Sequence, residues 1–420
     1  MCGIAGAVNA NLDYETLIKM VNSLKRRGPD DDGMYINGET ALLHTRLAVI
    51  DIENGKQPMV SSEYGGEYSI VYNGELYNTD DVRNALRELG ISFKTHSDTE
   101  VVLKAYICWG EKCLEKFNGI FAFAIWSSNE HRLFFARDRL GVKPFFYRHH
   151  KDGFIFSSEI KGILAVPSVE RKLDINGVAD LILLAPSRQS GNGVFKGIDE
   201  LPPAHYGYFN RYEGLTIKRY WQVVDHPHND SLEETIEKVQ YLVRDSIIRQ
   251  NVSDIPICTF LSGGLDSSII SSVTNQNLKS QGKELHTFSV HYRDNEKYFK
   301  ANKFQPNSDD IYIEQMVEYL GSVHHRVTID TPELVDALYS SVDSKDLPAM
   351  ADVDSSMLLL CKAIKEEFSV ALSGECADEI FGGYPWYRDP NIRETDGFPW
   401  SQSTAFRYSF LNDNIAHQIE

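Results

Sequence analysis

The run Ile255-Pro256-Ile257-Cys258-Thr259-Phe260-Leu261, followed at once by Ser262-Gly263-Gly264-Leu265-Asp266-Ser267-Ser268, decides the second half of the chain. A short apolar strand meets a paired-glycine turn, and an apolar helix opens at Ser267–Val273. Glycines let the backbone approach a phosphate closely, and the helix start adds unpaired N–H donors and a positive dipole end. Serine hydroxyls add further donors. Asp266 would repel phosphate unless a divalent cation lies between them, so it reads as a Mg²⁺ ligand. The lysine of a G-x-x-x-x-G-K-[ST] loop is missing, so this is not a Walker loop.

Outward from that loop, strands read at Thr287–Val290 and Val370–Leu372 alternate with helices near Asp309–Leu320, Pro332–Val342 and Ser355–Glu367. Alternation of this kind means a parallel α/β sheet. A second acidic turn, Ser373-Gly374-Glu375-Cys376-Ala377-Asp378-Glu379, follows the last of these strands. Ligands bind beyond strand carboxyl ends, so Asp378 can share a cation with Asp266. An acidic helix start is the plainer reading of that turn.

Upstream, Asp225–Asp230 is a polar linker, and Ser231 with Glu234 forms a capping box for a helix. Leu232, Ile236, Val239, Val243 and Ile247 are expected to be its buried face. His226 and His228 are read as part of the linker. Before it, helices are read near Tyr14, over 79–90 and after Asp98, and strands at Ser69–Tyr72, Phe121–Trp126, Arg132–Ala136, Phe145–Arg148 and Phe154–Ser157. Strands in consecutive runs with helices set apart indicate stacked layers rather than a βαβ ladder.

The chain opens Met1-Cys2-Gly3-Ile4. Removal of Met1 would leave Cys2 with a thiol and a free α-amine on one residue. That amine, with a pKa near ~8, can take the thiol proton, giving a nucleophile with its own base.

The 420 residues suffice for two domains with real cores. A net charge of −18 argues against nonspecific nucleic-acid or anionic-membrane binding. No run nears ~18 apolar residues, and the amino end lacks a signal-peptide layout. Six cysteines with no C-x-x-C suit reduced thiols in the cytoplasm.

Cys2 and the Ser262–Ser268 loop occur together with further motifs in order. These are Arg27-Gly28-Pro29-Asp30, His44-x-Arg46-Leu47-Ala48-Val49-Ile50-Asp51, Tyr72-Asn73-Gly74-Glu75-Leu76-Tyr77-Asn78 and Ser97-Asp98-Thr99-Glu100. Arg137-Asp138-Arg139-x-Gly141-x-Lys143-Pro144 and Ser157-Ser158-Glu159 complete the set. The chain thereby resembles glutamine-hydrolysing asparagine synthetases, from Cys2 to about Tyr387.

The resemblance implies a four-layered αββα N-terminal-nucleophile domain over residues 1–220, a class II glutamine amidotransferase. A linker at 221–230 and a parallel-sheet ATP-pyrophosphatase domain over 231–420 would follow. It implies that Cys2 attacks the glutamine amide, Asn73 and Gly74 form the oxyanion hole, and Arg46, Glu75 and Asp98 hold the amino-acid end. ATP is expected, as a substrate, against Leu261, Ser262, Gly263, Gly264, Asp266, Ser267, Ser268, Val290, Ser373 and Gly374. Mg²⁺ is expected at Asp266 and Asp378, and Glu375 is expected to serve acyl-adenylate formation. Locally plainer roles stand beside these: Asn73-Gly74 is also a hairpin-turn pair, Asp98 a helix cap, and Arg46 a surface ion pair.

The implied reaction makes asparagine from aspartate, glutamine and ATP, in the cytoplasm, with no nucleic acid or membrane as partner and with a homodimer allowed. Alternatives are a relative amidating another carboxylate, or a glutaminase-only or regulatory protein. Family members continue past the second acidic turn, so the C-terminal part of the synthetase domain is expected to be missing beyond Glu420. Cys376 and Ala204 stand where glycine is usual in the family, and Phe299–Pro306 departs from its usual substrate-side loop.

Overall fold

A computed structural model describes residues 1–63, 65–301 and 307–419. Part of the Phe299–Pro306 segment and Glu420 therefore lie outside the described residues. The chain divides into two compact units: Met1–Leu181 with Ser187–Pro227 and a short terminal piece, and His228–Ala416 with Ile182–Pro186.

The first unit holds two six-stranded sheets. Its strands are β1 (Gly3–Val8), β2 (Asp31–Asn37), β3 (Thr40–Arg46), β4 (Met59–Ser61), β5 (Tyr68–Leu76) and β6 (Gly119–Ser127). They continue as β7 (Arg132–Arg137), β8 (Phe146–His150), β9 (Gly153–Ser157), β10 (Asp199–Glu200), β11 (His205–Asn210) and β12 (Gly214–Arg219). One sheet runs β10-β8-β9-β1-β3-β2 and the other β12-β11-β7-β6-β5-β4.

Side-chain alternation along each strand builds the layers. Val71, Ala122, Ala124 and Phe135 point into a core shared with Ile4, Leu42, Phe145, Phe154 and Phe156 of the facing sheet. The other face of β5–β7 presents Ile70, Tyr72, Phe123 and Phe134 to α2 (Thr79–Glu88) and α3 (Asp98–Trp109), through Val82, Leu86, Val101 and Val102. On the far side α1 (Tyr14–Leu24) lies on β1 and β3, burying Leu17, Met20, Val21 and Leu24. The helix–sheet–sheet–helix order is the expected αββα arrangement.

The second unit carries β13 (Ile257–Phe260), β14 (His286–Tyr292), β15 (Val323–Ile329) and β16 (Val370–Leu372), all parallel, in the order β15-β14-β13-β16. Helix α4 (Leu232–Gln250) precedes the sheet, and α5 (Leu265–Ser280), α6 (Asp310–Leu320), α7 (Thr331–Lys345) and α8 (Ala351–Lys365) connect its strands. The order reverses at β13: the chain steps to β14 and β15 on one side, then returns to β16 on the other. Such a switch point opens a crevice at the strand carboxyl ends.

Two sequence expectations fail in this unit. The sheet has a fourth strand, β15, whose half-exposed His324 and His325 and exposed Arg326 hide its strand character. The predicted buried face of α4 is exposed over its first half, with Leu232 76%, Ile236 55% and Val239 40% exposed, and Ile247 is its buried residue. The apolar stripe is real, but α4 touches α5 and is not packed along its length. The capping box that starts α4 has both expected hydrogen bonds, Ser231 Oγ with the Glu234 N–H and Glu234 Oε2 with the Ser231 N–H.

Candidate active sites

Cys2 lies just before β1, half-buried, its thiol donating weakly to the Leu47 carbonyl at 3.7 Å. The Arg27 Nε donates to the Cys2 carbonyl at 2.9 Å, and Arg27 is paired with Glu159 at 3.0 Å. Burial pushes the thiol's pKa up, and the carboxylates of Glu75 and Asp98 push the same way. Those two acids therefore face the thiol closely enough to feel its charge.

β5 supplies the rest. Asn73 is inside the strand, opposite Ala122 of β6, and not in a hairpin turn. By alternation it shares the inward face with Val71. Its side chain is 1% exposed, yet Nδ2 has no hydrogen-bond partner among the described residues. Buried amides rarely stay unpaired, and the exceptions ask for an explanation.

Gly74 comes next. A Cβ there would lie 2.5 Å from the Ile120 carbonyl oxygen and 2.8 Å from the Phe121 Cα, so glycine is required by the approach of β6. The backbone edge of β5 explains its N–H. β4 stops pairing at Ile70. Beyond it Gln57 takes over as a side-chain substitute strand, accepting from the Tyr72 N–H at 2.6 Å and donating to the Tyr72 carbonyl at 3.1 Å. Two residues past Gly74 the Leu76 N–H donates to Asp98 Oδ2 at 3.1 Å. Gly74 N–H falls on that same edge, between these two bonds, with no acceptor of its own among the described backbone pairs.

Asp98 is the first residue of α3, and Ser97 caps that helix instead. Freed from capping, the Asp98 carboxylate also accepts from the Tyr72 hydroxyl at 3.0 Å, and burial raises its pKa. Glu75 is pushed up to about 8, first by burial and then by Asp98. Lys143 is buried against this group, its pKa lowered by burial and supported by Glu75. Its Nζ lies 3.1 Å from the Met1 sulfur.

Arg46 is 6% exposed and is not a surface ion pair. It donates to the Ile52 and Asp51 carbonyls at 2.7 Å each and to Ile50 at 3.3 Å, which fixes the loop after β3. Three of its five N–H donors are so engaged.

In the second unit the two acidic turns lie side by side where β13 and β16 end. A cavity of about 480 Å³ opens there, lined by Leu261, Ser262, Gly264, Asp266, Ser267, Val290, Ser373, Gly374, Glu375 and Asp378 among others. Gly263 has φ +78°, and a Cβ on it would meet the Asp309 carbonyl at 3.0 Å. Ser267 Oγ accepts from the Ser262 N–H at 3.2 Å, holding the loop closed on itself, and Ser268 Oγ donates to the Gly264 carbonyl at 2.7 Å. Gly263 and Ser268 thus shape the loop without lining the cavity. Burial raises the Asp266 pKa and Asp378 adds to it, and both residues line the cavity. Cys376 takes the left-handed conformation, φ 72°, and Ala204 does so at φ 60°. Both adopt the backbone that glycine would occupy freely.

A family model described as a glutamine amidotransferase domain matches residues 1–221, and one described as asparagine synthase matches residues 238–420. Asparagine synthetase [glutamine-hydrolyzing] 3 of Bacillus subtilis is 49% identical over 419 residues, which is 99% of this chain and 68% of that protein. The chain belongs to the glutamine-hydrolysing asparagine synthetase family. A putative asparagine synthetase of Methanocaldococcus jannaschii is 33% identical, across 91% of this chain and 76% of that protein. Among solved structures, a glutamine phosphoribosylpyrophosphate amidotransferase from B. subtilis aligns at 16% identity and TM-score 0.42 over 93% of this chain and 94% of that one, too loose a likeness to argue from.

The sequence named Cys2, Asn73, Gly74, Glu75 and Asp98 separately, and the fold sets Asn73, Gly74 and Glu75 on β5 with Asp98 bonded to its end and Cys2 nearby. The sequence did not single out Lys143 or Gln57. Lys143 stood inside a quoted motif without a role, and Gln57 carries no sequence signal, because its task arises only where β4 falls short of β5.

Proposed function

We propose that this chain makes asparagine with glutamine as nitrogen donor, through two sites. In the first, the α-amine of Cys2, freed by removal of Met1, takes the thiol proton, and the sulfur attacks the side-chain amide of glutamine. The tetrahedral oxygen is received by Asn73 Nδ2 and the Gly74 N–H. Ammonia leaves, and water releases glutamate from the thioester. The observation that carries this reading is the buried Asn73 donor without a partner, beside the open N–H of Gly74.

Glu75 and Asp98 would hold the glutamine ammonium, and the remaining Arg46 donors its carboxylate. An ammonium placed there would also oppose the upward push that Glu75 and Asp98 add to that of burial on the Cys2 thiol, so that substrate arrival favours the thiolate.

In the second site, ATP would lie against Leu261, Val290 and the two turns, with its phosphates on Ser262–Ser268. Aspartate and ATP would give β-aspartyl-AMP and pyrophosphate, and ammonia would displace AMP. Asp266 and Asp378 are two carboxylates on the wall of one cavity, a hard-oxygen donor set that fits Mg²⁺. When bound, the ion would neutralise phosphate charge. Glu375, beside Ser373 and Gly374, would serve adenylate formation. Six free cysteines among the described residues favour the cytoplasm for both reactions.

The test is a pair of variants. Cys2→Ala should lose glutamine hydrolysis and keep ammonia-dependent pyrophosphate release, and Asp266→Asn should show the reverse. Continued glutamine hydrolysis by Cys2→Ala would remove Cys2 as the nucleophile. Undiminished pyrophosphate release by Asp266→Asn would remove the proposed metal position.

A further inference from the structure

The sheet of the second unit has another cluster at its opposite, amino-terminal end. His286 is the first residue of β14, and His325 lies on β15 opposite Phe288, so both imidazoles stand on one face of the sheet. His286 Nδ1 and His325 Nε2 are 2.9 Å apart. The rings meet end to end and nearly coplanar, with centroids 5.2 Å apart and 19° between planes. Aromatic neighbours flank them: Phe288 stacks on His325 at 4.4 Å, and Phe368 lies 4.9 Å from His286.

Glu367 completes the group from the turn after α8. Its carboxylate and the two ring nitrogens all lie within 4.8 Å of one another. That turn is tied down, since the N–H groups of Glu367 and Phe368 both donate to the Ile364 carbonyl.

We propose that His286, His325 and Glu367 form a binding site for a divalent transition metal, with Zn²⁺ the best fit. Two imidazoles and one carboxylate are a borderline donor set that suits zinc and not magnesium. Zinc–nitrogen bonds of about 2.0–2.1 Å with near-tetrahedral angles need the nitrogens about 3.3 Å apart and each lone pair about 35° off the line between them, so the pair opens by roughly 0.4 Å and the rings turn to face the ion. The proton shared between the rings moves to the outer nitrogen of the ring that carried it, and both inner lone pairs then face the ion. Water takes the fourth position. The ion would staple β14 to β15 and to the end of α8.

The site is distinct from the nucleotide crevice. Val290, which lines that crevice, is four residues along β14 from His286, about 13 Å away at ~3.3 Å per residue.

The experiment uses the full chain stripped with a chelator and then titrated with Zn²⁺ against a chromogenic zinc indicator, with thermal unfolding in parallel. One equivalent should bind tightly and raise the unfolding temperature. Glu367→Gln, a change at an exposed side chain, should weaken binding about tenfold, and His325→Asn should abolish it; Asp266→Asn should leave it unchanged. Because a histidine variant can fail to fold, Co²⁺ absorption of the parent gives an independent reading. A tetrahedral nitrogen–oxygen spectrum supports the site. A thiolate charge-transfer band, no bound equivalent, or binding untouched by Glu367→Gln and His325→Asn overturns it.

Discussion

Replacing Asn73 with alanine tests the oxyanion assignment most directly. Removal of one preorganised oxyanion donor lowers kcat by about 10²–10³, or about 2.7–4 kcal/mol of transition-state stabilisation. The effect should fall on kcat and leave KM near the parent value, because the bond strengthens only as the carbonyl oxygen gains charge. Stability gives the second reading. Asn73 Nδ2 has no partner in the resting protein, so truncation breaks no existing bond of that atom. A buried unmet donor costs about 1–3 kcal/mol, and its loss offsets the small cavity left behind. Glutamine hydrolysis, followed as glutamate release without ATP, should therefore collapse while the unfolding midpoint holds or rises. A kcat within about threefold of the parent would refute the assignment. So would a fall in stability that accounts for the lost activity, because Asn73 would then be a structural residue of β5.

Three further outcomes follow from the geometry. Glu75, held up to about 8, binds a proton in the folded chain at pH values where the unfolded carboxyl, near ~4.3, has lost it, so its contribution to stability declines as pH rises between those values. Glu75→Gln should therefore shrink the drop in unfolding temperature between about pH 5.5 and about pH 8, and an equal drop in both proteins would show Glu75 ionised throughout. Gly263→Ala should abolish ATP-dependent pyrophosphate release and spare glutamine hydrolysis, because the new Cβ meets the Tyr312 Cβ at 2.8 Å in a left-handed backbone; normal nucleotide turnover would contradict the loop geometry. Cys376→Gly should stabilise the second unit by roughly 1 kcal/mol, left-handed strain relieved less the entropy of glycine, seen as a raised denaturation midpoint, and a lowered midpoint would mean that the thiol contributes packing.

Much of this was legible in the sequence because the relevant residues are local. Ser262–Ser268 carries its strand, turn and helix within one stretch, and the Ser231–Glu234 box needs three residues to declare itself. Cys2, Asn73 and Asp98 were named by motif, but their convergence required β1 and β5 to face each other across a sandwich, which no spacing encodes. Periodicity identified the apolar stripe of α4 and could not say that its first half stays uncovered. The edge strand β15 was missed because polar residues interrupt its alternation. The His286–His325 pair was invisible for a different reason: parallel register, set by residues elsewhere, brings the rings together.

The 3.1 Å approach of the Met1 sulfur to Lys143 ties maturation to electrostatics. While Met1 remains, its thioether flanks the ammonium and the Cys2 nitrogen is an amide that cannot act as the proposed base. Cleavage at that single bond would release the base and uncover the cation together. Glutaminase turnover per milligram would then be a direct gauge of how completely a preparation has been processed by its methionine aminopeptidase, and two batches of identical purity could differ in rate without differing in fold.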